Sequence, residues 1–303
     1  MSTTHPHWSP EAPFTRLVIF GEVLLDCFPD GRRVLGGAPF NVAWGLAGFG
    51  QNPLLISAVG NDADGRLIQK NMEAWKMDTS GLQIDELHPT GEVQVTIQND
   101  EASYEICENR AWDFISAEGL QAREFLYHGL LALRNPVSRQ ALETIVKNSS
   151  ATRFFDVNLR PPYDDAALIQ KWLQNADWVK LNLDELRTLT GQPDLPLLDC
   201  ETTLAEFRSR YEIKNILLTA GSEGALISGQ YGKATFTPAP NPPIMTDTVG
   251  AGDSFSAVTI DGILKNLPPE AILKKASHFA SKVCGLRGAT SNDPNFYTTS
   301  HHD

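Results

Sequence analysis

The chain is poor in positive charge, and this shortage argues against one group of partners. Of its 303 residues, 37 are acidic and 25 are basic, so the formal net charge is −12 with histidine neutral. A surface of this sign repels the phosphates of nucleic acids and of anionic membranes, so we expect neither as a main partner. A small anionic ligand remains compatible, because a local nest of backbone N–H groups can bind one whatever the net charge.

Cysteine and long apolar runs are also scarce. Four cysteines lie far apart and form no C-x-x-C pair, so we expect neither a disulfide framework nor a zinc site. No apolar run approaches the length of a membrane span, and residues 1–14 lack the apolar core of a signal peptide. We expect residues 1–14 to form a flexible terminus and the protein to be cytoplasmic.

Several familiar catalytic motifs are missing from the sequence. It contains no G-x-x-x-x-G-K-[ST], and no G-x-G-x-x-G follows the first apolar run, which disfavours P-loop and dinucleotide-binding folds. The stretch Gly221-Ser222-Glu223-Gly224 is not a nucleophile elbow, because its serine directly follows the glycine. H-E-x-x-H is absent as well.

The chain does contain a regular alternation of short apolar runs and helical patterns. This alternation predicts one α/β domain over 1–303, with a mostly parallel sheet covered by helices. We interpret Val23-Leu24-Leu25 as a continuation of the first strand, and the last two strands as antiparallel. The predicted strands are Leu17–Phe20, Leu54–Val59, Phe125–Gly129, Arg153–Val157, Trp178–Leu181, Asn215–Thr219, Ala225–Ser228 and Ala234–Phe236.

One segment breaks the alternation. Glu92–Gln98 alternates apolar and polar residues, a turn follows at 99–101, and Ser103–Cys107 is again extended, which predicts a β-hairpin. We expect an insertion over about 86–115, with 24–35 contributing, to act as a lid that keeps water from a transfer reaction. A dimerisation edge is the alternative, and one hairpin can serve both purposes.

A late stretch combines a possible anion site with a carboxylate. Gly250, Ala251 and Gly252 lie where a loop becomes a helix, and a helix start offers unpaired N–H groups to an anion. Asp253 falls in the first turn beside that site, where a carboxylate could take a proton from an attacking hydroxyl. The alternative is an ordinary first-turn aspartate, which the helix dipole favours.

Two earlier positions suggest a polar ligand. Asp26 follows an apolar run and is either a turn residue or a binding residue at the end of a strand. Gly36-Gly37 breaks the pattern before a helix in which Pro39 suits the first turn. Asn41 near the start of that helix is either a capping side chain or an amide directed at a ligand.

The two glycine motifs resemble the two signatures of PfkB-type (ribokinase-like) carbohydrate kinases, and most of all fructokinase-like members. They are Gly36-Gly37-Ala38-Pro39-x-Asn41 and Asp247-Thr248-x-Gly250-Ala251-Gly252-Asp253, and the resemblance extends from Leu17 to about Ala289. It implies a three-layer α/β/α fold with a central, mostly parallel sheet and a small β-hairpin lid. It also implies ATP-dependent phosphorylation of a primary hydroxyl of a sugar, with fructose or a related ketose as the acceptor.

The resemblance assigns roles to particular residues. It makes Asp253 the catalytic base and the amides of residues 250–253 the anion hole. An alternative role in the core or rim stays open for the lid residues Tyr104, Arg110 and Trp112, and Arg160 could instead be a surface residue. The implied sugar-binding residues are Asp26, Gly37, Asn41, Tyr104, Arg110, Asn158 and Arg160.

The resemblance also implies ATP, Mg²⁺ and, in many members, a monovalent cation such as K⁺. Asn182 and Glu185 match the N-x-x-E motif, with Asn182 on the ATP side and Glu185 acting on Mg²⁺ through water; a helix-capping pair is the alternative. Thr219, Gly221 and Gly224 resemble the nucleotide loop, although a tight turn without a ligand would look the same. Asp247 falls where the K⁺ would bind.

Two segments depart from common fructokinase patterns and leave the acceptor open. These are Pro161-Pro162-Tyr163 and the lid residues 108–113, both in regions that touch substrate in the family. Ketodeoxygluconate, ribose or a nucleoside are therefore alternative acceptors, and a sugar sensor without catalysis is an alternative function. The expected partners are a small sugar and ATP, with a homodimer through the lid as a further possibility.

Overall fold

The computed structural model describes residues 17–98, 101–117, 120–229, 232–241 and 245–298. The predicted flexible terminus at 1–14 therefore lies outside the described residues. Within these ranges the strands are, in chain order, β1 Leu17–Phe20, β2 Leu24–Cys27, β3 Arg33–Gly36, β4 Leu54–Gly60, β5 Leu82–Asp85, β6 Gly91–Gln98, β7 Glu101–Ile106, β8 Phe125–His128, β9 Thr152–Asp156, β10 Trp178–Asn182, β11 Asn215–Thr219, β12 Ala225–Gly229 and β13 Gly232–Thr237.

The helices lie mainly in the crossovers between these strands. They are α1 Ala38–Gly48, α2 Ala63–Ala74, α3 Pro136–Lys147, α4 Ala166–Leu173, α5 Leu183–Thr190, α6 Cys200–Tyr211, α7 Ala251–Leu264 and α8 Pro269–Val283. None of the helices in the described ranges combines the length and the apolar character that a membrane span requires.

The large sheet follows the predicted architecture. Its strand order is β13-β12-β11-β10-β9-β8-β1-β4-β5. Every pair from β11 through to β5 is parallel, and β12 and β13 complete one edge in antiparallel pairing. The predicted mostly parallel sheet and the antiparallel late strands are thus confirmed.

Alternating side chains along each strand create a core on both faces of this sheet. In β1, Val18 and Phe20 join a cluster that includes residues of α3, α4, α5 and α6. Leu17 and Ile19 belong to a second cluster, with residues of α1, α2, α7 and α8. Because successive strand residues point to opposite faces, the two clusters form the two interfaces of a three-layer α/β/α arrangement.

The lid is larger than a hairpin. It is a four-stranded sheet of order β3-β2-β6-β7, in which β6 and β7 form the predicted antiparallel hairpin. β2 pairs with β6 in parallel and with β3 in antiparallel register. The interpretation of Val23-Leu24-Leu25 as a continuation of the first strand was wrong. Gly21, at φ 147°, follows β1, and the chain then enters the lid sheet.

Three elements, β3, β5 and α6, were not assigned from the sequence. β5 is a short edge strand whose residues are mostly half-buried or exposed, so its apolar pattern is weak. α6 buries Cys200, Leu204, Phe207 and Tyr211, at spacings of four, three and four residues. That spacing is a helical stripe and was readable in the sequence.

Candidate active site

A deep cleft of about 1720 Å³ lies between the lid and the carboxyl ends of the parallel strands. Ligands of open α/β sheets bind at this edge because the loops there converge on one place. Most of the residues assigned from the sequence line the cleft. They are Asp26, Gly37, Asn41, Tyr104, Arg110, Asn158, Arg160, Asn182, Thr219, Gly221, Asp247, Gly250, Ala251, Gly252 and Asp253.

The start of α7 forms the floor of the cleft. Gly250 is its N-cap residue at φ 79°, and a Cβ added there would lie 2.3 Å from the Cβ of Ala289. The positive φ and the close packing together require glycine. Among the described residues no side chain caps this helix start. The N–H of Ala251 donates to the backbone oxygen of Thr248 at 3.2 Å, and those of Gly252 and Asp253 remain available to an anion.

Asp253 lies at the floor of the cleft in the first turn of α7. The Nδ2 of Asn41 donates a hydrogen bond of 2.8 Å to its Oδ2, which joins two residues 212 positions apart. Burial raises the pKa of Asp253, while the hydrogen bond from Asn41 and the charge of Lys180 oppose the rise. A carboxylate with a raised pKa is a stronger base than an ordinary aspartate, and Asn41 fixes its orientation.

A buried cation lies directly behind this helix start. Lys180 of β10 forms a 2.9 Å ion pair with Asp156 of β9, and a Cβ added to Gly252 would lie 3.3 Å from its Nζ. Asp156 also accepts hydrogen bonds from the hydroxyls of Tyr127 and Ser256. Burial opposes the charge of Lys180, but the nearby carboxylates outweigh burial and keep its pKa above the usual value. The site therefore holds a fixed positive charge beside the α7 amides.

The opposite wall of the cleft holds the residues expected to bind a sugar. Gly37 caps α1 at φ 104°, and a Cβ there would lie 2.6 Å from the backbone oxygen of Glu22. Asp26 of β2 lies against Gly36 of β3. A Cβ added to Gly36 would lie 3.0 Å from Asp26 Oδ2, so the glycine leaves room for this carboxyl group. Burial and the charge of Asp247 raise the pKa of Asp26 to about 6.

The lid residues differ in their surroundings. Tyr104 of β7 is 54% exposed and lines the cleft. Arg110 also lines the cleft, but its guanidinium donates to Glu92 at 2.6 Å, so it already has one carboxylate partner. Trp112 is fully buried in the core with the Arg134 guanidinium 4.1 Å from its ring centre, which supports the alternative of a core role for Trp112.

The loop after β9 supplies two more residues of the cleft. Asn158 adopts φ 39°, a conformation that asparagine tolerates better than most residues. Arg160 is exposed, and one of its terminal nitrogens donates to the backbone oxygen of Leu159 at 2.9 Å. Both side chains are thus placed at the edge of the cleft by the backbone of a single loop.

Asn182 and Glu185 form a capping box at the start of α5. Asn182 Oδ1 accepts the N–H of Glu185 at 2.8 Å, and Glu185 Oε2 accepts the N–H of Asn182 at 2.7 Å. The other oxygen, Oε1, accepts the N–H of Leu159 at 2.9 Å. Glu185 is buried and is not among the residues that line the cleft. The capping alternative is observed, and the Mg²⁺ role of Glu185 stays a prediction.

Of the residues predicted to form the nucleotide loop, some line the cleft and one does not. Thr219 at the end of β11 and Gly221 at φ 51° line the cleft. Gly224 does not line it, and a Cβ there would lie 2.3 Å from the backbone oxygen of Thr237, so close backbone packing requires a glycine; its ATP role stays a prediction. Asp247 accepts the N–H of Val249 at 3.0 Å in the loop before α7. The K⁺ role of Asp247 stays a prediction as well.

Three polar residues of the site were given no role from the sequence, although Glu22 and Asp156 belong to the stretches that resemble fructokinase-like members. Glu22 is 2% exposed and lines the cleft, and Lys180 and Asp156 form the buried pair behind α7. A signal existed for Lys180, because a lysine in the middle of an apolar strand requires a buried partner. Glu22 directly follows the first strand, where polar residues mark the ligand edge.

Comparison with known proteins agrees with this geometry. Residues 18–295 match the pfkB family of carbohydrate kinases, so the chain belongs to that family and is a sugar kinase. The fructokinase of Salmonella typhimurium is 29% identical over 292 residues, which cover 90% of this chain and 92% of that protein.

Two solved structures extend the likeness to the fold. An uncharacterised sugar kinase of Pyrococcus horikoshii in complex with ATP has a TM-score of 0.75 at 25% identity, covering 90% of this chain and 93% of its own. The fructokinase of Vibrio cholerae, with fructose, ADP and a calcium ion bound, has a TM-score of 0.78 and covers 91% of this chain and 94% of its own. At 23% identity, the latter likeness shows the fold alone.

Proposed function

We propose that this sugar kinase transfers the γ-phosphoryl group of ATP to a primary hydroxyl of a ketohexose, with fructose as the first candidate. The observation that supports this proposal best is the position of Asp253. It lies at the start of α7, next to an uncapped helix terminus, and Asn41 fixes it from the opposite wall. The fructokinase relatives support the choice of acceptor.

The chemistry uses this chain's own groups. Asp253 takes the proton of the sugar hydroxyl as its oxygen attacks the γ-phosphorus in line, the bond from that phosphorus to the β-bridging oxygen breaks, and ADP leaves. The N–H groups of residues 250–253 and the ammonium of Lys180 stabilise the charge that spreads over the phosphoryl oxygens. The proton then leaves Asp253 for solvent when the product departs.

Mg²⁺ would accompany the nucleotide, and the donor set fits a weakly held ion. Among the described residues no group of three acidic, histidine or cysteine side chains is arranged to hold a metal. Mg²⁺ in kinases needs few protein ligands, because it keeps several waters and binds substrate phosphates. When bound, Mg²⁺ would neutralise phosphate charge, and Asn182 and Glu185 would act on it through water. K⁺ would bind beside Asp247.

The charges around the acceptor end of the cleft favour a neutral polyol. Asp26 and Asp253 both lie there, and carboxylate groups suit sugar hydroxyls because they accept hydrogen bonds from them. An acidic acceptor would be repelled by these groups unless Arg160 compensates. This arrangement therefore favours a ketohexose over ketodeoxygluconate, and we also infer one catalytic domain over 1–303, with the lid sheet over the acceptor.

The test is an ADP-release assay over fructose, ribose, ketodeoxygluconate, a nucleoside and an aminoimidazole riboside, with binding measured by calorimetry. We expect the highest kcat/KM with fructose. A higher kcat/KM with another acceptor would overturn the choice of fructose but not the kinase. Sugar binding without ADP from any acceptor would favour a sensor and overturn the proposed reaction.

A further inference from the structure

Two buried oxygen atoms beside the catalytic base lack hydrogen-bond donors. Glu22 Oε2 and Asn41 Oδ1 are both inaccessible to solvent, and neither has a partner among the residues that the structure describes. A buried polar atom without a hydrogen-bond partner destabilises the folded state, so two of them together need an explanation. Both side chains line the cleft next to Asp253.

The fold directs these two side chains toward each other. The backbone of Glu22 lies against the start of α1, because a Cβ added to the N-cap residue Gly37 would lie 2.6 Å from the backbone oxygen of Glu22. Asn41 lies four residues after Gly37, and helical side chains lean toward the N-terminus onto the residue three or four positions earlier. The Asn41 amide therefore leans over the turn against which Glu22 packs.

One proton would satisfy both atoms. A neutral Glu22 has an O–H donor, and the unpartnered Oδ1 of Asn41 is an acceptor. We propose that Glu22 works as a neutral carboxylic acid that donates to Asn41 Oδ1 and so keeps Asn41 Nδ2 directed at Asp253. Glu22 is then a positioning residue for the base, an inference that rests on the proposed role of Asp253.

The surroundings favour the neutral form near and below neutral pH. Burial raises the pKa of Glu22 to about 7, with the Asp253 carboxyl adding to the rise, while backbone N–H groups and Arg160 oppose it. The groups that face Glu22 from other elements are Asp253 of α7, Arg160 after β9 and Tyr127 of β8. A phosphate arriving at α7 adds further negative charge and favours the neutral acid more strongly.

Ionisation of Glu22 would disturb the base. An ionised carboxylate cannot donate, so it would attract the Nδ2 of Asn41 instead and compete with Asp253 for that donor. Activity is therefore expected to fall as pH rises through the pKa of Glu22.

The test compares Glu22→Gln with the natural enzyme. Glutamine keeps a donor for Asn41 at every pH, so we expect kcat within about threefold of the natural enzyme at pH about 6. Above pH about 7 the natural enzyme should lose activity by up to roughly tenfold per pH unit, while Glu22→Gln stays flat. The same alkaline limb in both proteins would overturn the inference.

Two further variants separate positioning from packing. Glu22→Met fills a similar volume without a donor, and we expect kcat to fall by roughly tenfold to a hundredfold at all pH values with little change in sugar Kd. If Glu22→Met has the same kcat as Glu22→Gln, the side chain at position 22 acts only by filling space, and the inference is overturned. The matched control is Glu143→Gln, because Glu143 is a half-buried carboxylate of α3 that pairs with Lys171. This variant should keep the natural pH profile.

A spectroscopic readout keeps the inference testable if the proposed reaction fails. In infrared difference spectra of the folded protein at pH about 6, the band of protonated carboxyl groups should lose the intensity of one group in Glu22→Gln, since Asp26 also contributes to this band. Absence of this difference would overturn the neutral form of Glu22. A natural enzyme that makes no ADP from any acceptor would overturn the proposed function instead.

Discussion

Two helix starts lie side by side at the cleft, and they differ in what lies next to them. Both α1 and α7 begin at a glycine with positive φ, Gly37 and Gly250, and neither has a side-chain cap among the described residues. An acidic residue, Glu22, packs against the start of α1, whereas a cation, Lys180, lies beside the start of α7.

This difference indicates which ligand belongs at which helix. An anion at the start of α1 would lie beside the Glu22 carboxyl group, so this terminus favours an uncharged ligand. The α7 terminus lies beside the ammonium of Lys180, which keeps its charge in the pair with Asp156, so an anion is favoured there. The comparison therefore supports our proposal that the phosphoryl group binds at α7 and the uncharged sugar at α1.

The largest effect is expected at the residue that joins the two helices. Asp253→Asn removes the base, and we expect kcat to fall by roughly 10²–10⁴-fold while sugar binding by calorimetry persists. Asparagine has nearly the same shape, so the loss would come from proton transfer. Near-natural turnover of Asp253→Asn would contradict the assignment of Asp253 as the base.

The next effect tests the cation behind α7. Lys180→Met removes the positive charge and leaves Asp156 unpaired, so we expect kcat/KM for ATP to fall by about 10²-fold and stability by about 3–5 kcal/mol. The Lys180→Met, Asp156→Asn double variant removes the unpaired charge and should recover stability but not activity. Recovery of both would mean that Lys180 has only a structural role.

The pH dependence of stability tests the carboxyl behind α1. The pKa of Glu22 rises on folding from 4.5 to about 7, so the folded state binds more protons between these values, and stability falls as pH rises through that window. In chemical unfolding experiments, we expect the free energy of unfolding of the natural protein to fall by on the order of 3 kcal/mol across this window. In Glu22→Gln this pH-dependent fall should be absent. Equal slopes in the two proteins would count against a buried, neutral Glu22.

The smallest effect tests the packing of the α7 glycine. Gly250→Ala places a Cβ against Ala289 and should lower the free energy of unfolding by about 1–3 kcal/mol. Gly191→Ala is the matched control, because Gly191 has φ 69° and nothing described lies within 4 Å of its added Cβ. If both variants lose the same stability, backbone strain alone explains the glycine at 250.

Much of the fold could be predicted from the sequence because its signals are local. Apolar runs of four to seven residues, such as Leu54–Gly60, indicate strands whatever their partners are. Glycines at 37 and 250 marked the helix starts correctly, because backbone conformation depends on the residue itself. The run Val23–Leu25 was misassigned, since apolar patterning alone cannot show which sheet a strand joins.

The candidate site, too, was only partly predictable from the sequence. The sequence by itself determined the α/β alternation, the two glycine motifs and the resemblance to a kinase family. Only the tertiary structure decided that Asn41 meets Asp253 across 212 positions, that Lys180 pairs with Asp156 behind α7, and that Glu22 lies beside α1. These contacts depend on burial and on charged residues that are distant in the sequence. Parallel strand pairing brings those residues to one edge of the sheet, and no local sequence pattern can encode that.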